Sequence, residues 1–307
     1  MRRARVMGAM EKYLVLGASG VVGRNLMARL GDKVALATYH SRPVPGAVRF
    51  DLGKDSLDTV LSAAQGATGA FLLLGMTNID ACHTRQAEAR KINVDAILDL
   101  AKALADMGVK PVFTSTDYVF GGNRGGYREE DQPDPITAYG AFKAEVEKDL
   151  METVGNYAVA RLSRVIGAQR GDGSLFDGWM DAIENNEPIH SADDQIFSPI
   201  FATDAVEALV WLADSGANGL YNVCGPEAWS RYGLCAKFCD KVSALGKPVP
   251  QILRCKINGM GLKAIRPLDT SMSSSKLSRA SGIKLMGADE MMERFLRSCG
   301  HGAPLAV

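Results

Sequence analysis

The feature that most constrains the fold is a regular alternation of short apolar runs with longer helical ones. From Tyr13 the chain reads YLVL, then a helical stretch at 21–30, then KVALATY and VRFD. The pattern continues with a predicted helix at 57–64, the strand AFLLL, one long predicted helix at 84–107 and the strand PVFTST. Continuous apolar strands separated by helices predict an α/β protein whose parallel sheet is covered on both faces.

The alternation weakens beyond the strand NYAVARLSRVIG, which predicts a second and smaller part of the chain. A stretch at 121–135 that is rich in Gly, Pro and charge predicts a long loop above the sheet. We expect a Rossmann-type doubly wound sheet with a smaller C-terminal substrate-binding lobe. The predicted division has three parts. They are a disordered leader at 1–11, a cofactor domain formed by 12–165 together with 196–224, which returns to it, and a lobe built from 166–195 and 225–307.

Composition excludes several classes of protein. Lys plus Arg equals Asp plus Glu at 35 each, so no net charge favours binding to nucleic acid or to an anionic membrane. No stretch of eighteen apolar residues predicts a membrane span. The six cysteines form no CxxC pair, which favours reduced thiols and a cytoplasmic location. No spacing of His, Cys and carboxylates predicts a metal site.

A glycine-rich turn follows the first strand and opens the first helix. Glycines at G-x-x-G-x-x-G spacing let backbone N–H groups approach a pyrophosphate, whose charge the helix N-terminus stabilises. The alternative is that the glycines serve a tight turn for steric reasons alone. The position between strand and helix favours a dinucleotide. The predicted contacts are Gly17, Ser19, Gly20, Val21, Val22 and Gly23.

The second strand ends in His40, Ser41 and Arg42, with no acidic residue to bind a ribose hydroxyl. A guanidinium with neighbouring polar groups suits a 2′-phosphate, so we predict NADPH, with NADH as the alternative. The alternative is that Arg42 is simply a solvated loop residue. Asp51 and Leu52 after the third strand are predicted beside the adenine, and Leu74 after the fourth strand is also predicted to contact the cofactor.

The catalytic prediction rests on Tyr139 and Lys143, which lie on one helical face at Y-x-x-x-K spacing. An ammonium beside a phenol stabilises the phenolate, so Tyr139 could serve as a proton donor. Thr116 ends the predicted fifth strand, and ligands bind at the carboxyl ends of strands in such sheets. We predict that Thr116 polarises a carbonyl while Tyr139 donates a proton and a nicotinamide delivers hydride.

With these residues the sequence resembles the extended short-chain dehydrogenases and, within them, the dTDP-4-dehydrorhamnose reductase family. The resemblance rests on LGASGVVGRNL, INVDAILDLAKA, FTSTDYVFGG, YREEDQPDPITAYGAFKAEVE, ARLSRVIG, DDQIFSPIFATDAVEAL and RPLDTS. It implies NAD(P)H-dependent reduction of a nucleotide-linked 4-keto-6-deoxyhexose by Thr116, Tyr139 and Lys143. It further implies Asp117 near the sugar and Asn93 as part of the relay. The implied substrate contacts are Asp117, Tyr118, Arg164, Gln195, Ser198 and Arg266, the last a candidate for the diphosphate.

Two departures from the family pattern bear on the substrate. The family usually has an aromatic residue where this chain has Arg164, so a cation replaces a sugar-stacking platform. The fourth strand ends in Leu-Gly-Met-Thr, where relatives commonly carry small alanines followed by a polar or aromatic residue.

Alternative functions stay open at this point. A sugar-nucleotide dehydratase or epimerase would share the fold, but the Asp-Glu pair of dehydratases is Asp117-Tyr118 here, which lacks the second carboxylate. A non-catalytic regulatory subunit that resembles methionine adenosyltransferase beta is the other alternative. The expected partner is a sugar nucleotide, with no nucleic acid and no membrane, and a homodimer is left open.

Overall fold

A computed structural model describes residues 11–300, so the predicted leader at 1–11 lies outside the described residues except for its last one. The described strands are β1 Tyr13–Leu16, β2 Val34–Tyr39, β3 Val48–Arg49, β4 Gly69–Leu72, β5 Lys110–Thr116, β6 Ala158–Leu162, β7 Val165–Ile166, β8 Ile189–Ala192, β9 Ile196–Phe197, β10 Ile200–Phe201, β11 Gly219–Val223, β12 Trp229–Ser230 and β13 Ile252–Cys255. The α-helices are α1 Val21–Leu30, α2 Asp58–Ala63, α3 Ile79–Thr84, α4 Gln86–Arg90, α5 Ala96–Asp106, α6 Ala138–Thr153, α7 Leu175–Glu184, α8 Ala202–Asp214, α9 Arg231–Ala244, α10 Ser275–Ser281 and α11 Ala288–Ser298.

The main sheet has seven parallel strands in the order β3-β2-β1-β4-β5-β6-β11. Strand order reverses between β1 and β4, and such a reversal opens a crevice at the carboxyl ends of the strands. Leu100 and Val146 belong to the core on one face of the sheet, and Leu26 and Leu209 to the core on the other. The predicted Rossmann-type α/β fold is confirmed.

The prediction of one long helix at 84–107 is wrong in detail, because the structure divides this region into several helices. Helix α3 begins earlier, because the Asn78 side chain accepts a hydrogen bond from the Ala81 N–H. The helix is interrupted at Arg85, whose φ of −126° and ψ of 52° are not helical. A π-helical turn at Lys91–Asp95 then separates α4 from α5. All these pieces continue an amphipathic pattern, so periodicity alone cannot reveal the breaks.

A second hydrophobic core lies outside the main sheet. Phe176 stacks on Phe238 at 4.9 Å between ring centroids, and Phe295 packs edge-on against Phe176 at 5.7 Å. These rings come from α7, α9 and α11. Helix α10 differs, because its Leu277 packs into the core of the main sheet. The division into cofactor domain and substrate lobe stays a prediction. Over 11–300, no helix is long and apolar enough to cross a membrane.

Candidate active site

A cleft of about 1040 Å³ lies along the carboxyl ends of β1, β4, β5 and β6. The glycine-rich turn after β1 lines one end of it, and α7 and α9 contribute Trp179 and Arg231. The cleft therefore joins both predicted parts of the chain. Its lining includes most of the residues predicted from sequence as cofactor and substrate contacts.

The glycine turn is shaped by close backbone packing at its two ends and by open space at its centre. Gly17 has a φ of +103°, and a Cβ there would lie 3.0 Å from the Leu73 carbonyl. A Cβ on Gly23 would overlap the Gly17 carbonyl oxygen, whereas a Cβ on Gly20 would meet nothing within 4 Å. The first-turn N–H groups of α1 have no side-chain cap. The turn thus leaves room and donors for an anionic group beside Gly20.

The residues predicted to contact the 2′-phosphate line the cleft, whereas those predicted beside the adenine do not. His40, Ser41 and Arg42 line the cleft, whereas Asp51 and Leu52 do not. Leu52 belongs to the hydrophobic core. Burial alone would raise the pKa of Asp51, but the Gly53 N–H and the nearby Lys54 ammonium hold it below its usual value. Its carboxylate lies 3.5 Å from His40 Nε2 and so contacts the cleft through that residue.

The loop after β4 contributes Leu74, Gly75 and Thr77 to the cleft. Asn93, predicted from the resemblance as part of the relay, instead lies behind this loop. Its Oδ1 accepts from the Met76 N–H at 2.7 Å and its Nδ2 donates to the Met76 carbonyl at 3.0 Å. Both groups of the amide are thus occupied by one backbone residue. Asn93 reaches this loop from the π-helical turn, and it positions the loop rather than facing the cleft.

The predicted relay residues come together at the centre of the cleft. Thr137 caps α6 by accepting from the Gly140 N–H at 3.0 Å. A side chain at position 140 would overlap the Tyr118 carbonyl, so glycine lets α6 approach the turn after β5. Tyr139 and Thr116 both line the cleft there, and the Thr116 hydroxyl is close enough to lower the pKa of Tyr139. Lys143 lies one turn further along α6, with its Nζ 5.9 Å from the centroid of the Tyr139 ring.

Burial shifts both titratable groups of the relay towards their neutral forms. It raises the pKa of Tyr139, with the Asp117 charge acting in the same direction and the Thr116 hydroxyl opposing it. Burial lowers the pKa of Lys143 to about 8, against the attraction of Glu147. The Lys143 Nζ donates to the Thr114 carbonyl at 2.9 Å. The phenol is therefore a protonated donor at neutral pH beside an ammonium that is still mostly charged.

A buried ion pair behind the relay is a feature that sequence reasoning missed. Arg161 Nη2 lies 2.6 Å from Glu147 Oε2, and both side chains are 2% exposed. Arg161 also lies over the Phe120 ring at 4.9 Å. The i,i+4 spacing of Lys143 and Glu147 on α6 was the available signal, but the partner on β6 could not be read from it.

Beyond the glycine turn, the cleft contains two arginines, Arg164 and Arg231, whose side chains have no hydrogen-bond or ion-pair partner among residues 11–300. Burial lowers the pKa of Arg231, and the charge of Arg164 acts in the same direction. Gln195 donates to the Tyr118 hydroxyl at 3.2 Å, while its own Oε1 has no partner. The buried Ser163 hydroxyl also has none. Such unsatisfied buried groups at a cleft call for a polar ligand.

Two predicted substrate residues do not reach the cleft. Arg266 is bound by Asp80, with Nη2 to Oδ1 at 2.8 Å, and donates to the Ala264 carbonyl at 2.7 Å. It therefore ties two loops together, and Arg231, unnoticed in the sequence, is the lobe cation that lines the cleft. Ser198 exchanges hydrogen bonds at 3.2 Å with both backbone groups of Met272. The donor and one acceptor site of its hydroxyl are used there.

Known proteins resemble this chain over most of its length. The dTDP-4-dehydrorhamnose reductase of Sinorhizobium fredii is 26% identical over 301 residues, covering 93% of this chain and 96% of that protein. Methionine adenosyltransferase 2 subunit beta of Bos taurus is 29% identical over 196 residues, which cover 62% of this chain and 58% of that protein. The crystal structure of a hypothetical dTDP-4-dehydrorhamnose reductase from Sulfolobus tokodaii superposes with a TM-score of 0.79 at 25% identity. The match covers 91% of this chain and 98% of that one.

The family comparison confirms the resemblance inferred from the motifs. The RmlD substrate binding domain family matches residues 11–300, which include the glycine turn, the relay and the two cleft arginines. The chain therefore belongs to the RmlD substrate binding domain family.

Proposed function

We propose that the chain reduces the keto group of a nucleotide-linked 4-keto-6-deoxy sugar with NADPH. The observation that carries the proposal is that Thr116, Tyr139 and Lys143 line one cleft, which begins at a dinucleotide-type glycine turn. A cleft with unpartnered cations at its other end suits a substrate with a diphosphate.

The residues at the glycine end fit a dinucleotide phosphate. The open space at Gly20 would admit the pyrophosphate, which the N-terminus of α1 would stabilise. His40, Ser41 and Arg42 would contact the 2′-phosphate, and Leu74 would lie near the nicotinamide. When bound, this cofactor supplies the hydride. Arg42→Gln is expected to weaken NADPH binding without changing NADH binding, with the exposed Arg49→Gln as control.

The relay residues supply the proton. Tyr139 would donate its phenolic proton to the carbonyl oxygen, and the Lys143 ammonium would stabilise the phenolate that results. Arg164 and Arg231 would bind the diphosphate by charge-assisted hydrogen bonds. Gln195 Oε1 and Ser163 Oγ would bind sugar hydroxyls, which would satisfy both buried groups.

The test follows NADPH absorbance with a panel of dTDP- and UDP-linked 4-keto-6-deoxyhexoses. Tyr139→Phe is expected to lose turnover by roughly 10²- to 10⁴-fold while it keeps NADPH affinity. Tyr157→Phe, outside the cleft, is the matched control. Loss of water from a dTDP-hexose without consumption of NADPH would favour a dehydratase and contradict the proposal.

The bovine relative favours a second candidate, a cofactor-binding subunit without turnover. NADPH binding without turnover of any sugar in the panel would support it. We also propose a cytoplasmic location. A homodimer stays a prediction, which sedimentation equilibrium can test.

A further inference from the structure

Arg24, the fourth residue of α1, joins two loops that line the cleft. Its Nη1 donates to the Ser19 carbonyl of the glycine turn at 2.8 Å, and its Nη2 donates to the Asp172 carbonyl at 3.1 Å. Asp172 belongs to the α7 loop, which comprises residues 167–174. The Arg24 side chain is partly buried and is not among the residues that line the cleft. Arg24 thus bridges the two loops without being part of the cleft wall.

The α7 loop is held together by its own hydrogen bonds. The Asp172 carboxylate accepts from the Gln169 N–H at 3.1 Å and from the Ser174 N–H at 2.8 Å. Asp177, in the first turn of α7, accepts from two further N–H groups of the loop at 2.9 Å each. Because these bonds connect the loop to α7, a displacement of Asp172 moves the start of the helix with it.

Arg24 connects this loop to the cofactor end of the cleft. Within the described part of the chain, the other hydrogen bonds of residues 169–174 stay on the α7 loop or on α7 itself. Gly173 and Ser174 line the cleft, and the buried Ser174 Oγ has no hydrogen-bond partner. The Arg24 contact is therefore the hydrogen bond that relates this wall of the cleft to the glycine turn.

The N–H groups that would bind a pyrophosphate share peptide groups with the carbonyls that Arg24 contacts. The Ser19 carbonyl belongs to the same peptide group as the Gly20 N–H. The Gly20 carbonyl, which accepts from the Arg24 N–H at 2.9 Å, belongs to the same peptide group as the Val21 N–H. An anion that accepts from these N–H groups polarises both carbonyls and strengthens their hydrogen bonds to Arg24. A dinucleotide would therefore hold the guanidinium more firmly, and with it the Asp172 carbonyl.

We propose that Arg24 is a positioning residue that couples the two ends of the cleft, so that a bound dinucleotide fixes the α7 loop for the sugar nucleotide. The inference rests on the proposed function. With the loop fixed, the unpartnered Ser174 hydroxyl is held ready for the second ligand. By thermodynamic linkage, each ligand then strengthens the binding of the other by the same factor. We expect a factor of about five, near the lower end of the usual range, because one side chain carries the coupling.

The first test needs only the wild-type protein and NADP⁺. Hydrogen exchange followed by mass spectrometry reports how often hydrogen-bonded N–H groups open, and the α7 loop has several such groups. Saturating NADP⁺ should slow exchange in the glycine turn and, by about fivefold, in the α7 loop. Slower exchange in the glycine turn with no change in the α7 loop would overturn the inference and leave the cofactor site intact.

Arg24→Gln separates coupling from a direct contact between NADP⁺ and the α7 loop, which lines the same cleft. We expect the loop to lose its protection in this variant at saturating NADP⁺, while the glycine turn keeps its own. The matched control is Arg29→Gln, which removes an exposed ion pair with Glu207 further along α1 and should keep both effects. Protection of the loop that persists in Arg24→Gln would contradict the bridge.

The second test measures the coupling itself. Titration calorimetry gives the Kd of dTDP, or of UDP, with and without saturating NADP⁺. In the wild type NADP⁺ should lower this Kd about fivefold, and the nucleotide should lower the Kd of NADP⁺ by the same factor. In Arg24→Gln both ratios should fall to about one. A merely structural role would weaken nucleotide binding equally with and without NADP⁺, and such an unchanged ratio would refute the coupling.

Arg24→Lys covers the case in which Arg24→Gln does not fold. Lysine keeps the charge but replaces two nitrogens of a planar fork by one, so it should bind NADP⁺ and lose most of the coupling. Coupling equal to that of the wild type would contradict the two-armed bridge. If the wild type bound neither dTDP nor UDP, the proposed substrate class would be wrong, and the hydrogen-exchange result would still decide on Arg24.

Discussion

The buried ion pair of Glu147 and Arg161 should govern both the stability of the protein and the charge of the relay. Glu147 follows Lys143 by one turn of α6, and its carboxylate is the group that keeps the pKa of Lys143 from falling further. It also accepts two hydrogen bonds from Arg161 Nε, at 3.0 and 3.1 Å, and one from Nη2. One substitution, Glu147→Gln, therefore perturbs two measurable quantities.

The expected loss of stability is large. Glu147→Gln leaves the Arg161 charge buried without a counter-charge, which costs about 3–5 kcal/mol in comparable pairs. Arg161 Nη1 already lacks a partner, so the site has no spare acceptor to take up the charge. The same change lowers the pKa of Lys143 below about 8. With a pKa of about 8 the ammonium is roughly 90% charged at pH 7, and one unit lower leaves about half.

Two assays separate these effects. Urea denaturation followed by circular dichroism gives the free energy of unfolding, and the pH profile of turnover reports Lys143. The double variant Glu147→Leu/Arg161→Met replaces the pair by apolar side chains, which is often neutral or stabilising. It should recover the stability but not the pH profile, because the carboxylate near Lys143 is still missing.

The reasoning fails if Glu147→Gln costs under about 1 kcal/mol, the range of an exposed pair. It also fails if the double variant restores the wild-type pH profile. Either result would mean that the carboxylate is better hydrated than its 2% exposure indicates.

Three further predictions concern the cleft. Turnover needs the charged form of Lys143, so a pH–rate profile should show full activity below about pH 8 and loss as pH rises through that value. Gly20→Ala should fold normally and weaken NADPH binding, measured by fluorescence titration, whereas Gly23→Ala should lower the melting temperature. Gly75→Ala should weaken NADPH binding, because Gly75 has a φ of +131° and a Cβ there would lie 2.6 Å from Asn93 Oδ1; equal affinity would contradict the role of the loop.

The sequence predicted those parts of the fold and site whose signals are local. A buried parallel strand, a glycine turn and an i,i+4 pair each occupy a few consecutive residues, and the sheet then fixes where their ends meet. The placement of Thr116 opposite Tyr139 follows from this geometry. The close approach at Gly140 that completes it could not be predicted, because it depends on how α6 packs against the Tyr118 carbonyl.

The predicted site residues that do not line the cleft form hydrogen bonds or ion pairs with distant segments of the chain, and a local sequence pattern does not show such partners. Arg266 pairs with Asp80, 186 residues away, and does not line the cleft. Asn93 and Ser198 satisfy backbone groups of Met76 and Met272 instead of a ligand. Arg231, which does line the cleft, has no local motif that distinguishes it from other helix-start residues.

The central claim is that this cleft passes a hydride to a sugar carbonyl while Tyr139 supplies the proton. The most direct measurement uses NADPH with deuterium at both C4 positions of the nicotinamide, in a reaction with a nucleotide-linked 4-keto-6-deoxy sugar, and follows the deuterium by mass spectrometry of the product. We expect one deuterium at C4 of the sugar with the wild type and almost none with Tyr139→Phe. A product without deuterium, or equal labelling with Tyr139→Phe, would contradict the account.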